Sequence, residues 1–391
     1  VPGKAYAAEV TAACTGLAHP RDALICSAHW SLPPADQFRD GTQPWNYLVP
    51  ERVAEGGPMR FRRVLRAPAG AAVLVLRCTL RWSPAGEAAW SLPQVEVLGA
   101  PPAAAPAVRV AVVTGQLNQR PRPITSLATN LEYYGRLCEE ACRRHRPQLI
   151  ALPEIALQWG LPGHAIDLAI PVPGPETQAL AKIARRHHVR LVVGLYERDG
   201  DAVHNTAVLI APDGHLDGRY RKVHLALGGE AESGLLPGDA FPVVSTEVGR
   251  IGCTICMDSS AAEAARLVGL NGADFLVLPI MGDHRADRWS AGPPIHNDSR
   301  WLAIMRTRAM DNQLCMVVSR NCTQASCIID RKGDVLAWND GSENSIAAEV
   351  EVDRDLRVWN GGCFIEANWL QRRPHLYGPF CDVRNTGSLR G

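Results

Sequence analysis

From Val108 onward the sequence alternates between two hydrophobic rhythms, and that alternation limits the possible folds more than any other feature. One rhythm is short and nearly continuous: "VRVAVVTGQL", "QLIALPE", "RLVVGLYERDG", "VHNTAVLIAPDG", "RIGCTIC", "DFLVLPIMG" and "QLCMVVSRN". Such apolar runs, bounded by Gly, Pro, Asp or Asn, are expected of strands buried on both faces. The other rhythm is helical. In "SLATNLEYYGRLCEEACRRHRP" the apolar residues Leu131, Tyr134 and Leu137 recur at helical spacing, and "ETQALAKIARRHHV", "SAAEAARLVGLNGA" and "WLAIMRTRAMDN" read likewise, the third capped by Gly272. Strands alternating with helices predict an α/β domain whose sheet is covered on both faces.

Residues 1–98 lack this alternation. "MRFRRVLRAP", "AAVLVLRCTLRWSP" and "AAWSLPQVEVLG" are strand-like runs punctuated by Pro and Gly. They predict a β-rich accessory domain, β-sandwich-like, resembling half of a jelly-roll edge of the sort found in carbohydrate-binding modules. It could bind a glycan, cover a sheet edge or mediate assembly, and Trp82 and Trp90 could form an aromatic platform or pack in its core. The stretch "GAPPAAAPAVR" reads as a Pro/Ala-rich linker, placed at 99–107, which leaves 108–391 as the second domain.

Composition removes several function classes. Among 391 residues, 41 Lys and Arg nearly cancel 40 Asp and Glu, and no basic stripe argues for nucleic acid. Stretches such as Ala71–Leu76 and Phe275–Ile280 are far too short to cross a bilayer, so no membrane partner is expected. Twelve cysteines are scattered rather than framed at regular spacings, which does not imply a disulfide scaffold. The chain begins at Val1 with no visible signal peptide. A reducing, cytoplasmic location is therefore the expectation, with a removed leader left open.

Three reactive residues stand where apolar runs end: Glu154 after "LIALP", Lys222 in "GRYRKVHL" and Cys256 in "IGCTIC". Open α/β sheets place their chemistry at strand ends. A thiol is a weak nucleophile at neutral pH and needs a base or a neighbouring cation. A carboxylate can take the thiol proton, and an ammonium can stabilise the oxyanion formed on a carbonyl. These three make a complete acyl-transfer site with no metal and no cofactor.

The second cysteine of "CTIC" raises alternatives. A redox pair normally opens a helix, whereas this pair falls in an apolar strand, with the helix beginning near Ser260. Residues three apart in a strand point to opposite faces. A zinc site would need a further pair, and Cys322 and Cys327 are available at looser spacing than usual. The strand geometry favours a reactive Cys256 at the strand end and a packing Cys253. His187 and His188 end a basic helix and read as solvated; His224 could line the site or be structural.

These motifs, in this order, resemble the nitrilase superfamily of carbon–nitrogen hydrolases. The resemblance rests on Leu152-Pro153-Glu154, on Tyr220-Arg221-Lys222-Val223-His224-Leu225 and on Ile251-Gly252-Cys253-Thr254-Ile255-Cys256-Met257-Asp258. The flanks "HNTAVLIAPDGHLDG", "EAARLVGLNGADFLVLP" and "RTRAMDNQLCMVVSRN" agree, covering roughly residues 107–352. The resemblance implies a four-layer αββα sandwich, paired into a homodimer or larger homo-oligomer. It implies Glu154 as general base, Lys222 as stabiliser of the tetrahedral intermediate and Cys256 as nucleophile of a thioester mechanism without a cofactor. A second catalytic glutamate precedes a Pro-Gly in many members; the E-x-x-x-G-L-x-P-G spacing favours Glu230 over Glu232. Glu232, Met257 and His284 (in "GDHRADRW") are the expected substrate-binding residues. Met257 and "DSSAAE" depart from the family's common aromatic residues, so the substrate does not transfer. Asp258, two after the cysteine, leans towards a small-molecule amide or carbamoyl substrate. A nitrile hydrolase and a non-catalytic binding scaffold remain the alternatives.

Overall fold

The computed structural model describes residues 1–32, 46–51, 57–98, 107–115, 126–281, 298–321, 324–352, 357–359, 362–363 and 369–381. The chain divides into two compact units: Val1–Ala104 with Asp353–Gly391, and Ala105–Val352.

The first unit holds β1 (Ala5–Thr15), β2 (Leu24–Ser31), β3 (Asn46–Pro50), β4 (Met59–Arg66), β5 (Val73–Leu80), β6 (Glu87–Trp90) and β7 (Gln94–Leu98). All pair antiparallel in the order β5-β2-β3-β4-β1-β6, with β7 also on β1. This corrects the expected sandwich: the strands form a single, nearly closed barrel-like sheet. Strand β1 is long enough to take β4 along one edge and both β6 and β7 along the other. The segment "AAWSLPQVEVL" is accordingly two strands, separated by Pro93, which has no N–H to donate. Alternation fills the interior: Met59, Phe61 and Leu65 are buried, while Arg60, Arg62 and Arg66 are not. Trp90 packs at the edge of that core, its ring 5.4 Å from Phe61, whereas Trp82 is half exposed with the Arg81 guanidinium 3.5 Å above it.

The second unit contains two sheets. One comprises β8 (Val108–Val113), β9 (Leu149–Ala151), β10 (Ile170–Pro171), β11 (Arg190–Asp199), β12 (Ala202–Ile210), β13 (Leu216–Arg221) and β20 (Ser345–Val350). The other comprises β14 (Val243–Thr246), β15 (Gly249–Cys253), β16 (Phe275–Ile280), β17 (Cys315–Arg320), β18 (Cys327–Ile329) and β19 (Val335–Trp338). Strands β8, β9 and β11 run parallel, as do β15, β16 and β17. Among the described residues, four helices longer than two turns accompany them: α1 (Leu127–His145), α2 (Pro175–His187), α3 (Ala262–Leu270) and α4 (Asp298–Asn312).

The period of two along each strand sorts these elements into layers. Val110, Val112, Leu149, Ala151 and Val192 face Ile251, Cys253, Phe275, Val277 and Val317 in a core between the two sheets. Their neighbours Ala111, Val113, Ile150, Leu191 and Val193 point the other way, onto Tyr134, Leu137 and Cys138 of α1 and Leu180 and Ala184 of α2. Leu276, Leu278, Met316 and Val318 pack on Ala265 and Val268 of α3 and on Trp301, Met305 and Ala309 of α4. The result is the helix–sheet–sheet–helix order expected of the unit. Ser126 caps α1, accepting the Thr129 N–H at 3.2 Å. Among the described residues no helix is long and apolar enough to cross a membrane.

Candidate active site

The site lies beyond the C-terminal ends of β9, β13, β15 and β16. Glu154 follows β9 by three residues and is almost wholly buried. It sits that deep because Gly194 of β11 leaves room: a Cβ there would stand 2.6 Å from the Pro153 carbonyl oxygen and 2.7 Å from the Glu154 Cα. The next residue, Ile155, has φ +44°, which a β-branched side chain rarely adopts. The carboxylate is held from three sides. Its Oε1 accepts from Lys222 Nζ at 3.0 Å and Asn205 Nδ2 at 2.7 Å; its Oε2 accepts the Met281 N–H, just past β16, at 2.8 Å.

Lys222 follows β13 and is 1% exposed. Its Nζ donates to Glu154 and, at 2.7 Å, to Glu230 Oε2. Burial disfavours the charged amine, but the surrounding Glu154, Cys256 and Glu230 reverse that and leave its proton affinity raised. Gly238 secures the strand end: its N–H donates to the Lys222 carbonyl at 2.8 Å, and a Cβ would strike the Arg221 carbonyl oxygen at 2.2 Å. That contact is a physical reason for the Pro-Gly after the loop.

Glu230 lies in a single π-helical turn, Leu227–Ala231. Its Oε2 also accepts the Ala226 N–H at 2.9 Å, and its Oε1 accepts from Asn205 Nδ2 at 2.5 Å. The structure therefore brings Glu230 onto Lys222. Glu232, two residues on, is exposed.

The cysteine stands differently from its expectation. Strand β15 ends at Cys253, and Cys256 is the first residue of a 3-10 turn, Cys256–Ser260, with α3 beginning at Ala262. Cys256 has φ +43°, a left-handed conformation stored at the start of that turn. The two cysteines part because the chain leaves the strand between them. Cys253 stays in the intersheet core, where burial pushes its thiol up to about 12. Burial also raises the proton affinity of Cys256; the facing Glu154 and Glu230 add to this and Lys222 opposes it. The resting group is a thiol.

Asp258 fixes the turn. Fully buried, it accepts the Ile255 N–H at 2.8 Å and the Tyr220 hydroxyl at 2.7 Å on Oδ2. On Oδ1 it meets the His224 N–H at 2.9 Å and ring Nδ1 at 2.7 Å. The cysteine turn is thereby tied to both sides of Lys222, and His224 takes the structural side of its two expected roles. Met257 is 43% exposed. His284 and Cys322 lie outside the described residues, while Cys327 is buried in β18.

Sequence reasoning missed Asn205 and Tyr196. Asn205 lies in a run of three buried polar residues, His204 to Thr206, inside a strand whose remaining buried residues are apolar, and that run was the available signal. Tyr196 of β11 faces the same cluster: burial, with Glu154 and Glu230 adding and Lys222 opposing, raises its phenol well above its usual range.

Comparisons with known proteins agree on the family. The carbon-nitrogen hydrolase family model matches residues 109–359. An omega-amidase NIT2 of Xenopus tropicalis is 28% identical over 241 residues, covering 57% of this chain and 83% of that protein. A citrullinase of Francisella tularensis is 30% identical over 214 residues, covering 50% of this chain and 71% of that protein. Among solved structures, a carbon-nitrogen hydrolase from Helicobacter pylori G27 superposes with a TM-score of 0.58 at 22% identity, covering 71% of this chain and 98% of that one. An amidase variant from Nesterenkonia sp. AN1, whose active-site cysteine carries the acetamide moiety of fluoroacetamide, superposes with a TM-score of 0.54 at 19% identity, covering 71% and 97%. The family match spans well over half of the chain, on the unit that holds the two-sheet sandwich, and the chain belongs to the carbon–nitrogen hydrolases of the nitrilase superfamily.

Proposed function

We propose that the protein is an amidase-type hydrolase that cleaves a linear, non-peptide amide or carbamoyl C–N bond through a thioester on Cys256. The observation that carries this reading is the hydrogen-bond pattern on Glu154. Its Oε1 has both acceptor positions engaged, by Lys222 and Asn205, whereas among the described residues Oε2 accepts one N–H, that of Met281. Oε2 thus keeps one position for a proton, beside a thiol that is protonated at rest.

The steps follow from that arrangement. Glu154 takes the thiol proton, and the sulfur attacks the substrate carbonyl carbon. The oxyanion is stabilised by Lys222, with the Met257 N–H after the nucleophile as a second donor. Collapse breaks the C–N bond while Glu154 returns the proton to the leaving amine or ammonia. Water, deprotonated by Glu154, then opens the thioester and releases the acid. Glu230 holds Lys222 charged and in place. The omega-amidase and citrullinase relatives support an amide or carbamoyl substrate, as does the cysteine adduct in the amidase variant.

The test is peptide-mapped alkylation followed by turnover. Substoichiometric iodoacetamide at neutral pH should label Cys256 and spare buried Cys253, and a screen of amides, carbamoyl compounds and nitriles should release ammonia from the first two. Turnover of nitriles alone would make it a nitrilase. An alkylated Cys256 with no ammonia from any class would return the scaffold reading.

A further inference from the structure

We propose that Asn205 is a positioning residue of this site, one amide that aims both carboxylates at Lys222. The inference rests on the amidase reading, although part of its test does not. Glu154, Glu230 and Lys222 come from three separate segments, and Asn205 of β12 touches all of them. Its Nδ2 donates to Glu154 Oε1 at 2.7 Å and to Glu230 Oε1 at 2.5 Å, and its main-chain carbonyl accepts the Lys222 N–H at 2.8 Å. The amide nitrogen has two hydrogens, and each goes to a different carboxylate.

Two features make this more than a scaffold contact. The first is charge. Two carboxylates sharing one site repel, and one tends to take up a proton. Among the described residues, the pair is met by donors that hold it together: Lys222 Nζ to both, Asn205 Nδ2 to both, and the Met281 and Ala226 N–H groups to one each. The titratable groups facing the pair are Lys222 beyond β13, Cys256 beyond β15 and Tyr196 on β11. The second is the orientation of the amide. Asn205 is 1% exposed, and among the described residues its buried Oδ1 has no hydrogen-bond partner. An orphaned buried oxygen is costly. Turning the amide over would place that oxygen against the carboxylate oxygens, acceptor against acceptor. The side chain thus leaves one atom unsatisfied so that both its hydrogens meet carboxylate oxygens.

For Glu154 the consequence is direct. A base takes the thiol proton at an oxygen with an acceptor position to spare, and the Asn205 hydrogen bond helps to settle which oxygen that is. It also occupies an Oε1 position, directing the proton to Oε2.

The experiment compares Asn205→Leu and Asn205→Ser with the unaltered protein. Iodoacetamide alkylation of Cys256 is followed against pH, which requires no substrate, and kcat and KM are measured on the best amide. Without the donors the base loses its anchor, and the acidic limb of the alkylation profile should move to higher pH. The expected shift is about one unit in Asn205→Leu, the order of one charge-assisted hydrogen bond, and less in Asn205→Ser. kcat should fall about tenfold or more, with KM within about twofold. An unmoved acidic limb in folded variants, with only the melting temperature lowered, would overturn the proposal and leave Asn205 structural. Should Asn205→Leu fail to fold, Asn205→Ser decides alone: no shift there overturns it equally. A shifted alkylation limb in a protein that hydrolyses no amide would support Asn205 and refute the proposed activity.

Discussion

Two charge clusters stand side by side in the second unit, one around buried Glu197 and one around buried Lys222, built from neighbours in the chain. Arg221 and Lys222 are consecutive, as are Tyr196 and Glu197, yet the members of each pair serve different clusters. Glu197, fully buried, accepts from Thr206 Oγ1 at 2.7 Å, from Arg221 at 3.0 Å through both Nε and Nη2, and from Arg219. Arg221 also reaches Asp199 at 2.5 Å. Two carboxylates there meet two guanidiniums, and both oxygens of Glu197 are fully engaged. Around Lys222, two carboxylates meet a single ammonium, one carboxylate oxygen has an open acceptor position, and a thiol stands beside it. The first arrangement balances its charge and has nothing left to react. The second sets two carboxylates against one ammonium, beside a thiol proton. In a buried cluster, incomplete pairing is what distinguishes chemistry from support.

The largest expected effect separates the two cysteines. Cys256→Ala should reduce turnover by several orders of magnitude while circular dichroism and the melting curve stay native, whereas Cys253→Ser should retain most activity at some cost in stability. Equal loss at both would mean they act as a coupled pair. Next, Lys222→Ala should lower kcat by about 10²–10³, the worth of an oxyanion donor in a dry site; a change confined to KM would remove Lys222 from the transition state. Within the loop, Glu230→Gln should lower kcat by about tenfold, having lost one charge-assisted contact to Lys222, and Glu232→Gln should cost less. The reverse order in steady-state kinetics would exchange their roles.

The smallest effect on kcat, and the sharpest contrast, comes from the balanced cluster. Glu197→Gln should destabilise the fold by about 1–3 kcal/mol, the order of hydrogen bonds lost to charged groups, while folded molecules keep near-native kcat. A denaturant titration combined with active-site labelling would check this. The cluster also has a pH signature. Burial alone would raise the proton affinity of Glu197, but Arg221 and Thr206 outweigh it and hold the carboxyl below its usual value of 4.5. Its folded proton affinity is thus lower than the unfolded one, so its stabilisation is complete above the unfolded value and is lost as pH falls through the lower folded value. Acid melts should therefore show a smaller pH dependence in Glu197→Gln than in the parent. An identical dependence would place the acid sensitivity elsewhere.

Much of this could be read from particular residues. The alternation of buried runs marked the strands of the second unit, and Glu154, Lys222 and Cys256 were conspicuous because reactive groups ended apolar stretches. The first unit was legible only as β-rich. Alternating residues such as Met59, Phe61 and Leu65 serve a sandwich or a curled single sheet equally well, and closure depends on how many partners β1 accepts. Glu230 and Glu232 could be ranked only by spacing, because a loop has no period to tell inward from outward; the π-turn turns one onto Lys222.

The sequence by itself determined the element types of the second unit, its membership of an α/β class and the positions of three reactive residues, because hydrophobic period and chain-local motifs are properties of neighbours. Only the tertiary structure decided which groups share a site. Asn205 and Glu154 lie far apart in the chain, as do Asp258 and Tyr220; the first pair meets because β9, β11 and β12 lie side by side in one sheet, the second because the two sheets stack. Distance in space sets electrostatics and hydrogen bonding, and no periodicity along the chain encodes it.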